Sequence, residues 1–253
     1  MKLKRAAIIE RPSPNFGPRP DGAAIDLLIL HYTGMQSAAA ALDRLCDPAA
    51  AVSAHYLIDE DGTVYRLVDE ARRAWHAGVS SWQGRDDVNS FSVGIELVNP
   101  GHEWGYRAFP PAQLAACTAL ARDIVQRHAI PHARVLGHSD VAPARKQDPG
   151  ELFDWAALAR HGVGLWPPND LPGDLPDGSS GDGSAPGAFG PAVAALQVAL
   201  AQFGYGCPTS GEFDVTTEAV VTAFQRHFRP ARVDGRFDAE CRHRLAWLLA
   251  ELD

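Results

Sequence analysis

The stretch "IDLLIL", residues 25–30, is a short apolar run whose length and β-branched content suit a buried strand. "AHYLI" and "TVYRLV" flank the turn "DEDG" and read as two more strands. "FSVGIELV", from Phe91 to Val98, and "RVLG" before His138 complete the set. Between these last two, Leu114, Cys117, Ala121, Ile124 and His128 recur at helical spacing, which predicts a helix laid over the sheet. The fold class expected is α/β, a mixed β-sheet flanked by helices. Towards the C-terminus the period changes. Val193, Leu196, Leu200 and Phe203 form one apolar helical stripe, and Val220, Phe224 and Phe228 form another. "GEFDVTTEAV" is echoed by "GRFDAECRHR", with Asp214 and Asp238 placed to cap helices whose first turns carry Glu218 and Glu240. A second, small three-helix domain is predicted.

Between the two patterns lies "WPPNDLPGDLPDGSSGDGSAPG", which has too little apolar surface to order itself. The expected division is a catalytic domain over residues 1–165, a flexible linker over 166–187 and a helical domain over 188–253. Composition agrees: of 253 residues, 46% are hydrophobic and 21% charged, enough for one large core and a small one. A formal charge of -8 gives no electrostatic footprint for DNA or RNA, so nucleic acid is not an expected partner. Cys46, Cys117, Cys207 and Cys241 lie far apart without a C-x-x-C pair and read as small core residues. No stretch approaches the roughly 20 apolar residues of a membrane span. "MKLKRAAIIERPSPN" is too short in apolar residues for a secretory signal, which makes the cytoplasm the expected location, with the periplasm or cell envelope as the alternative.

Candidate chemistry gathers at strand ends. His31 ends "LLILH" and His138 ends "RVLGH", and side chains at the ends of neighbouring strands converge at one rim of a sheet. Asp148, ten positions after His138, would complete three ligands of a kind that suits zinc and leave a fourth position open, as in catalytic sites. Either histidine alone could simply terminate a strand in a hydrogen-bonded edge. Glu96 lies inside the apolar strand "SVGIELVN", where a carboxylate is costly unless something cationic faces it. Beside a metal-activated water it could take and return a proton; the structural alternative is a pair with Arg72 or Arg85. Lys146, two residues before Asp148, would point the same way in an extended loop and could stabilise an oxyanion, or could be a solvated loop lysine.

Taken together, "LILHYTG", "AHYLIDEDGTVYRLVDEARRAWHAG", "NSFSVGIELVN" and "LGHSDVAPARKQDPG" resemble the zinc-dependent N-acetylmuramoyl-L-alanine amidases of the AmpD/AmiD type, whose fold is shared with peptidoglycan recognition proteins. The resemblance covers most of residues 20–160 in the right order. It implies zinc held by His31, His138 and Asp148, with Glu96 as the acid/base and Lys146 at the oxyanion. The C-terminal pattern is similar to the peptidoglycan-binding domain type 1, although "PTSGEFDVTTEAVV" lacks the usual Asp-Gly before its first Phe.

What the resemblance implies is hydrolysis of the amide between the muramic acid lactyl group and L-alanine, in peptidoglycan or (anhydro)muropeptides, during wall recycling or remodelling. Trp75, His76, Arg85 and Asn89 are candidate substrate contacts, the arginine because stem peptides carry carboxylates. His55 and Tyr56 are expected to support the site from behind. A non-catalytic receptor for wall fragments is the main alternative, and a peptidase cutting within the stem peptide a weaker one, H-E-x-x-H being absent. Because every proposed catalytic residue precedes the linker, the second domain is expected to be dispensable for small soluble fragments.

Overall fold

A computed structural model describes residues 8–168 and 184–252. In chain order the N-terminal part contains β1 (Ile8–Glu10), β2 (Phe16–Pro18), β3 (Leu27–Tyr32), α1 (Ala38–Cys46), β4 (Tyr56–Ile58), β5 (Val64–Arg66) and β6 (Arg72–Ala74). It continues with β7 (Ser81–Trp82), β8 (Arg85–Asp86), β9 (Ser92–Leu97), α2 (Gly101–Trp104), α3 (Pro111–His128), β10 (Val135–Gly137), α4 (His138–Val141) and α5 (Trp155–Arg160). The C-terminal part contains α6 (Pro191–Phe203), α7 (Val215–Phe228) and α8 (Ala239–Ala250).

The main sheet has six strands in the order β1-β5-β4-β9-β3-β10. Only β4 and β5 pair antiparallel, as the "DEDG" turn between them requires; the other neighbours run parallel. This is the mixed sheet with helices that the hydrophobic pattern predicts. Period-two alternation sorts its faces. Leu28, Leu30, Val93, Ile95 and Leu97 pack with Cys117, Ala121 and Ile124 of α3, the stripe read from the sequence. Leu27, Ile29 and Leu136 point the other way into a second apolar cluster. In register His31 stands opposite Glu96, so both side chains share that second face at the ends of β3 and β9.

The C-terminal helices begin where the caps predict: Asp214 accepts from Thr217 N and Asp238 from Cys241 N. Their core is not separate. The cluster holding Leu27, Ile29 and Leu136 runs on through Trp82 to Phe203, Tyr205, Phe224 and Phe228. Trp82, wholly buried, meets the rings of Phe203 and Tyr205 edge to face at 5.8 and 5.0 Å. Gly204 is required here, since a Cβ would lie 2.5 Å from the Trp82 ring, and its carbonyl accepts from Gln83 N. Of the expected linker, residues 169–183 lie outside the described residues; at its near end Trp166 lies under Arg244, and at its far end Gly187 N donates to Phe213 O. The cysteines are free, with Cys117 and Cys241 buried. Among the described residues no helix is long and apolar enough to cross a membrane.

Candidate active site

β3 delivers His31 to the rim of the sheet, and β10 delivers His138 as the first residue of α4. The chain then turns through residues 142–147 and returns, Ser139 N donating to Asp148 O, so that the Asp148 side chain meets both histidines. His31 Nδ1 and His138 Nδ1 are 2.9 Å apart, and Asp148 Oδ2 is 3.0 Å from each. All three residues are buried.

Hydrogen bonds behind the histidines decide which atoms face inward. Val88 O can only accept, so the single Ser92 hydroxyl proton goes to it. Ser92 Oγ must then accept from His76 Nε2–H, which leaves His76 Nδ1 to accept from His31 Nε2–H. His31 therefore presents Nδ1 as a lone pair. His138 is set in the same way, its Nε2–H donating to Ala77 O, which in the neutral ring leaves Nδ1 bare. Burial, then His138, lowers the His31 pKa to about 4, and burial, then His31, holds His76 well below its usual value, so the relay is neutral. Burial would raise the Asp148 pKa, but His138 and His31 outweigh it and keep the carboxylate ionised. Three electron-rich atoms so close repel one another unless a cation lies between them. Two imidazoles and a carboxylate are a borderline-soft set that suits zinc, and the outer partners are of the kind that orient metal-bound histidines.

Glu96 lies on the floor of an adjoining cleft of about 340 Å³, which Lys146 also lines. Its Oε2 is enclosed without a hydrogen-bond partner among the described residues. Burial, then the Asp148 charge, raises its pKa to about 8, and Lys146 opposes the rise. The structural alternative for this carboxylate is not what is observed. Arg85 pairs with Asp26 at 3.0 Å, and Arg72 lies over Phe16.

The profile of the Amidase_2 family, N-acetylmuramoyl-L-alanine amidase, matches residues 21–151, more than half of the chain, including His31, Glu96, His138, Lys146 and Asp148. The chain belongs to this family. The amidase is 36% identical to the N-acetylmuramoyl-L-alanine amidase AmiD of Escherichia coli strain K12 over 236 residues, 85% of this chain and 79% of that one. It is 37% identical over 162 residues to the 1,6-anhydro-N-acetylmuramyl-L-alanine amidase AmpD of the same strain, covering 57% of this chain and 86% of that one. The structure of the E. coli AmiD complex superposes with a TM-score of 0.76 at 35% identity over 92% of both chains. AMPDH3 from Pseudomonas aeruginosa gives 0.79 at 34% identity, over 92% of this chain and 94% of that one. A peptidoglycan binding domain profile, PG_binding_1, matches residues 189–245.

In the amidase, the residues singled out from the sequence fall into distinct places. His31, His138 and Asp148 converge, and Glu96 and Lys146 line the cleft that His138 and Asp148 also line. Trp75 lines the cleft. His76 also lines the cleft, although it is largely buried and is the hydrogen-bond partner of His31, and Gly94 makes room for it, since a Cβ there would lie 2.5 Å from the His76 ring. Asn89 is buried too, its Oδ1 accepting from His76 N and Ala77 N, so it braces that segment rather than facing the cleft. Arg85, held on Asp26 and over the Phe91 ring, is not among the cleft-lining residues. His55 supports the site as expected, its Nδ1 accepting from Gly94 N on the strand that carries Glu96. Tyr56 does not: it packs on the opposite face of the sheet, and its hydroxyl donates to Glu70. The sequence reading missed Arg44, His102 and the exposed Trp104, which line the cleft. It also missed Arg145, whose Nη2 donates to Ala77 O and Val79 O and straps the 142–147 loop to the segment behind His138.

Proposed function

We propose that this amidase uses zinc, held by His31, His138 and Asp148, to cleave the bond between the muramic acid lactyl carbonyl and L-alanine in anhydromuropeptides. The observation that carries the reading is the convergence of two Nδ1 lone pairs and a carboxylate oxygen beside an unpaired glutamate. The E. coli AmiD structure contains anhydro-N-acetylmuramic acid-L-Ala-D-gamma-Glu-L-Lys as substrate, and an AMPDH3 structure contains an anhydromuramic pentapeptide; both support that substrate class here.

Bound zinc supplies Lewis acidity, which activates a water and polarises the lactyl carbonyl. Glu96 takes the proton of the attacking water as the carbon–oxygen bond forms, and gives it to the alanine nitrogen as the carbon–nitrogen bond breaks. Lys146 favours the charged form of Glu96, opposing the burial that raises its pKa. Lys146 holds the developing negative charge on the carbonyl oxygen. Trp75 lends an aromatic wall to the cleft that receives the substrate. The cytoplasm is the compartment proposed, and cell fractionation tests it.

Incubating the protein with a purified anhydromuropeptide, with and without chelator, and weighing the products by mass spectrometry tests the assignment. A free stem peptide with L-alanine at its amino terminus, formed only with metal, is expected. Binding without cleavage would make the protein a fragment receptor, and cleavage inside the stem a peptidase.

A further inference from the structure

We propose that the C-terminal domain is a working part of the amidase site: Tyr205, Arg226 and His227 hold both arms of the segment that carries His138, Lys146 and Asp148. This rests on the assignment of that segment to metal binding and catalysis.

The first arm is anchored at Asp140. This carboxylate is wholly buried, where a charge is tolerated only if its oxygens are bonded. Three groups bond it. Gly137 N donates to Oδ2 at 2.7 Å, His227 Nδ1 donates to Oδ2 at 2.7 Å, and the Tyr205 hydroxyl donates to Oδ1 at 2.7 Å. Only the first belongs to the N-terminal part. The bond to Gly137 N closes the first turn of α4, whose first residue is His138. Without Tyr205 and His227, the carboxylate that shapes this turn would keep one of its three bonds. The His227 ring has little freedom, because it stacks between Trp155 at 3.7 Å and Phe228 at 3.8 Å.

The second arm is held by the preceding residue. Arg226 Nη2 donates to Gln147 Oε1 at 3.2 Å, and Nε lies 3.7 Å from Glu151 Oε2. Gln147 stands between Lys146 and Asp148 in sequence. Consecutive helix positions project about 100° apart, which lets one helix end reach two separate parts of the loop. α7 is in turn fixed by the cluster around Trp82. A domain serving only as a wall anchor needs none of these contacts.

The test uses the full chain with Tyr205→Phe, His227→Leu and His227→Asn. Zinc affinity is read by competition with a chromogenic chelator, and kcat and KM on a soluble anhydromuropeptide are read separately. His227→Leu is expected to lower zinc affinity, kcat or both by about 10- to 100-fold, as loss of an outer support to a metal site does. KM should change little, since the substrate contacts are untouched. Tyr205→Phe, one oxygen lighter, should show the same pattern at about fivefold. His227→Asn, which keeps a donor, should recover most of the loss. Zinc affinity and kcat within about twofold of the parent in folded His227→Leu and Tyr205→Phe would overturn the proposal and leave the domain a docked anchor. If His227→Leu does not fold, Tyr205→Phe decides alone. The zinc arm needs no substrate, so a parent that binds zinc but cleaves nothing would overturn the amidase assignment, while the zinc affinities of the variants would still decide whether the domain holds the metal ligands.

Discussion

Glu96 faces His31 across two paired strands, and the pairing separates two jobs that a metal site often confuses. Removing the proton acceptor while keeping its shape should spare the metal. Glu96→Gln is expected to fold, to keep near-parent zinc content and to lose turnover roughly a hundredfold or more. Near-parent turnover would make Glu96 structural. His76 makes the complementary case. Gly94→Ala puts a methyl into its ring and should weaken zinc binding about 10- to 100-fold by disturbing the His31 tautomer, with Glu96 untouched. Unchanged zinc affinity in chelator competition would remove His76 from the relay. His31, His138 and Glu96 are legible in the sequence because each is a polar interruption at the end of, or inside, an apolar strand. The role of His76 as the partner of His31 is not, because "AWHAG" is no strand-end signal and its partners, His31 and Ser92, are set by strand order. Asn89 and Arg85 read as substrate contacts for a related reason: a polar residue in a loop looks the same from the sequence whether it faces a ligand or braces the backbone.

At the scale of elements, α3 is tied to the hairpin strands by more than its apolar stripe. Glu70, beyond the end of β5, receives Arg127 and His128 from the last turn of α3, and Tyr56 from β4. Burial would raise the Glu70 pKa, but these donors outweigh it and lower it from 4.5 to about 2. The folded state thus binds the proton more weakly than the unfolded one. The stabilisation is fully present above the unfolded value of 4.5 and is lost as the pH falls through about 2. Because Arg127 is well exposed and screened, the contribution is about 1–2 kcal/mol. Urea unfolding should show Glu70→Gln less stable than the parent by that amount at pH 7, with the gap closing towards pH 2. A gap that does not vary with pH would rule out this linkage. The α3 stripe itself is legible from its period. The role of His128 is not, since it counts as part of the stripe by spacing yet is claimed by a carboxylate 58 positions away.

On the whole-molecule scale, the C-terminal helices share an apolar cluster with one face of the sheet instead of closing a core of their own. Their stripes, Val220, Phe224 and Phe228 among them, announce burial but not the partner, and the apolar pattern of Leu27 and Ile29 announces it equally. Only the folded chain shows these faces meeting through Trp82. Two parts that share one interior should unfold together. Calorimetry and tryptophan fluorescence are expected to give a single coincident transition, and two resolved transitions would show that the parts are energetically independent.

Trp82 also bears on how this protein can be rebuilt. Wall-directed enzymes invite cassette exchange, in which one targeting module is cut off in the connecting segment and another is grafted on. Here such a cut would leave an indole and its neighbours facing water, and the incoming module would bring no glycine to receive the ring. A productive chimera needs its junction drawn around that contact, either carrying Phe203, Gly204 and Tyr205 across with the catalytic part or recasting residues 81–86 to be wetted.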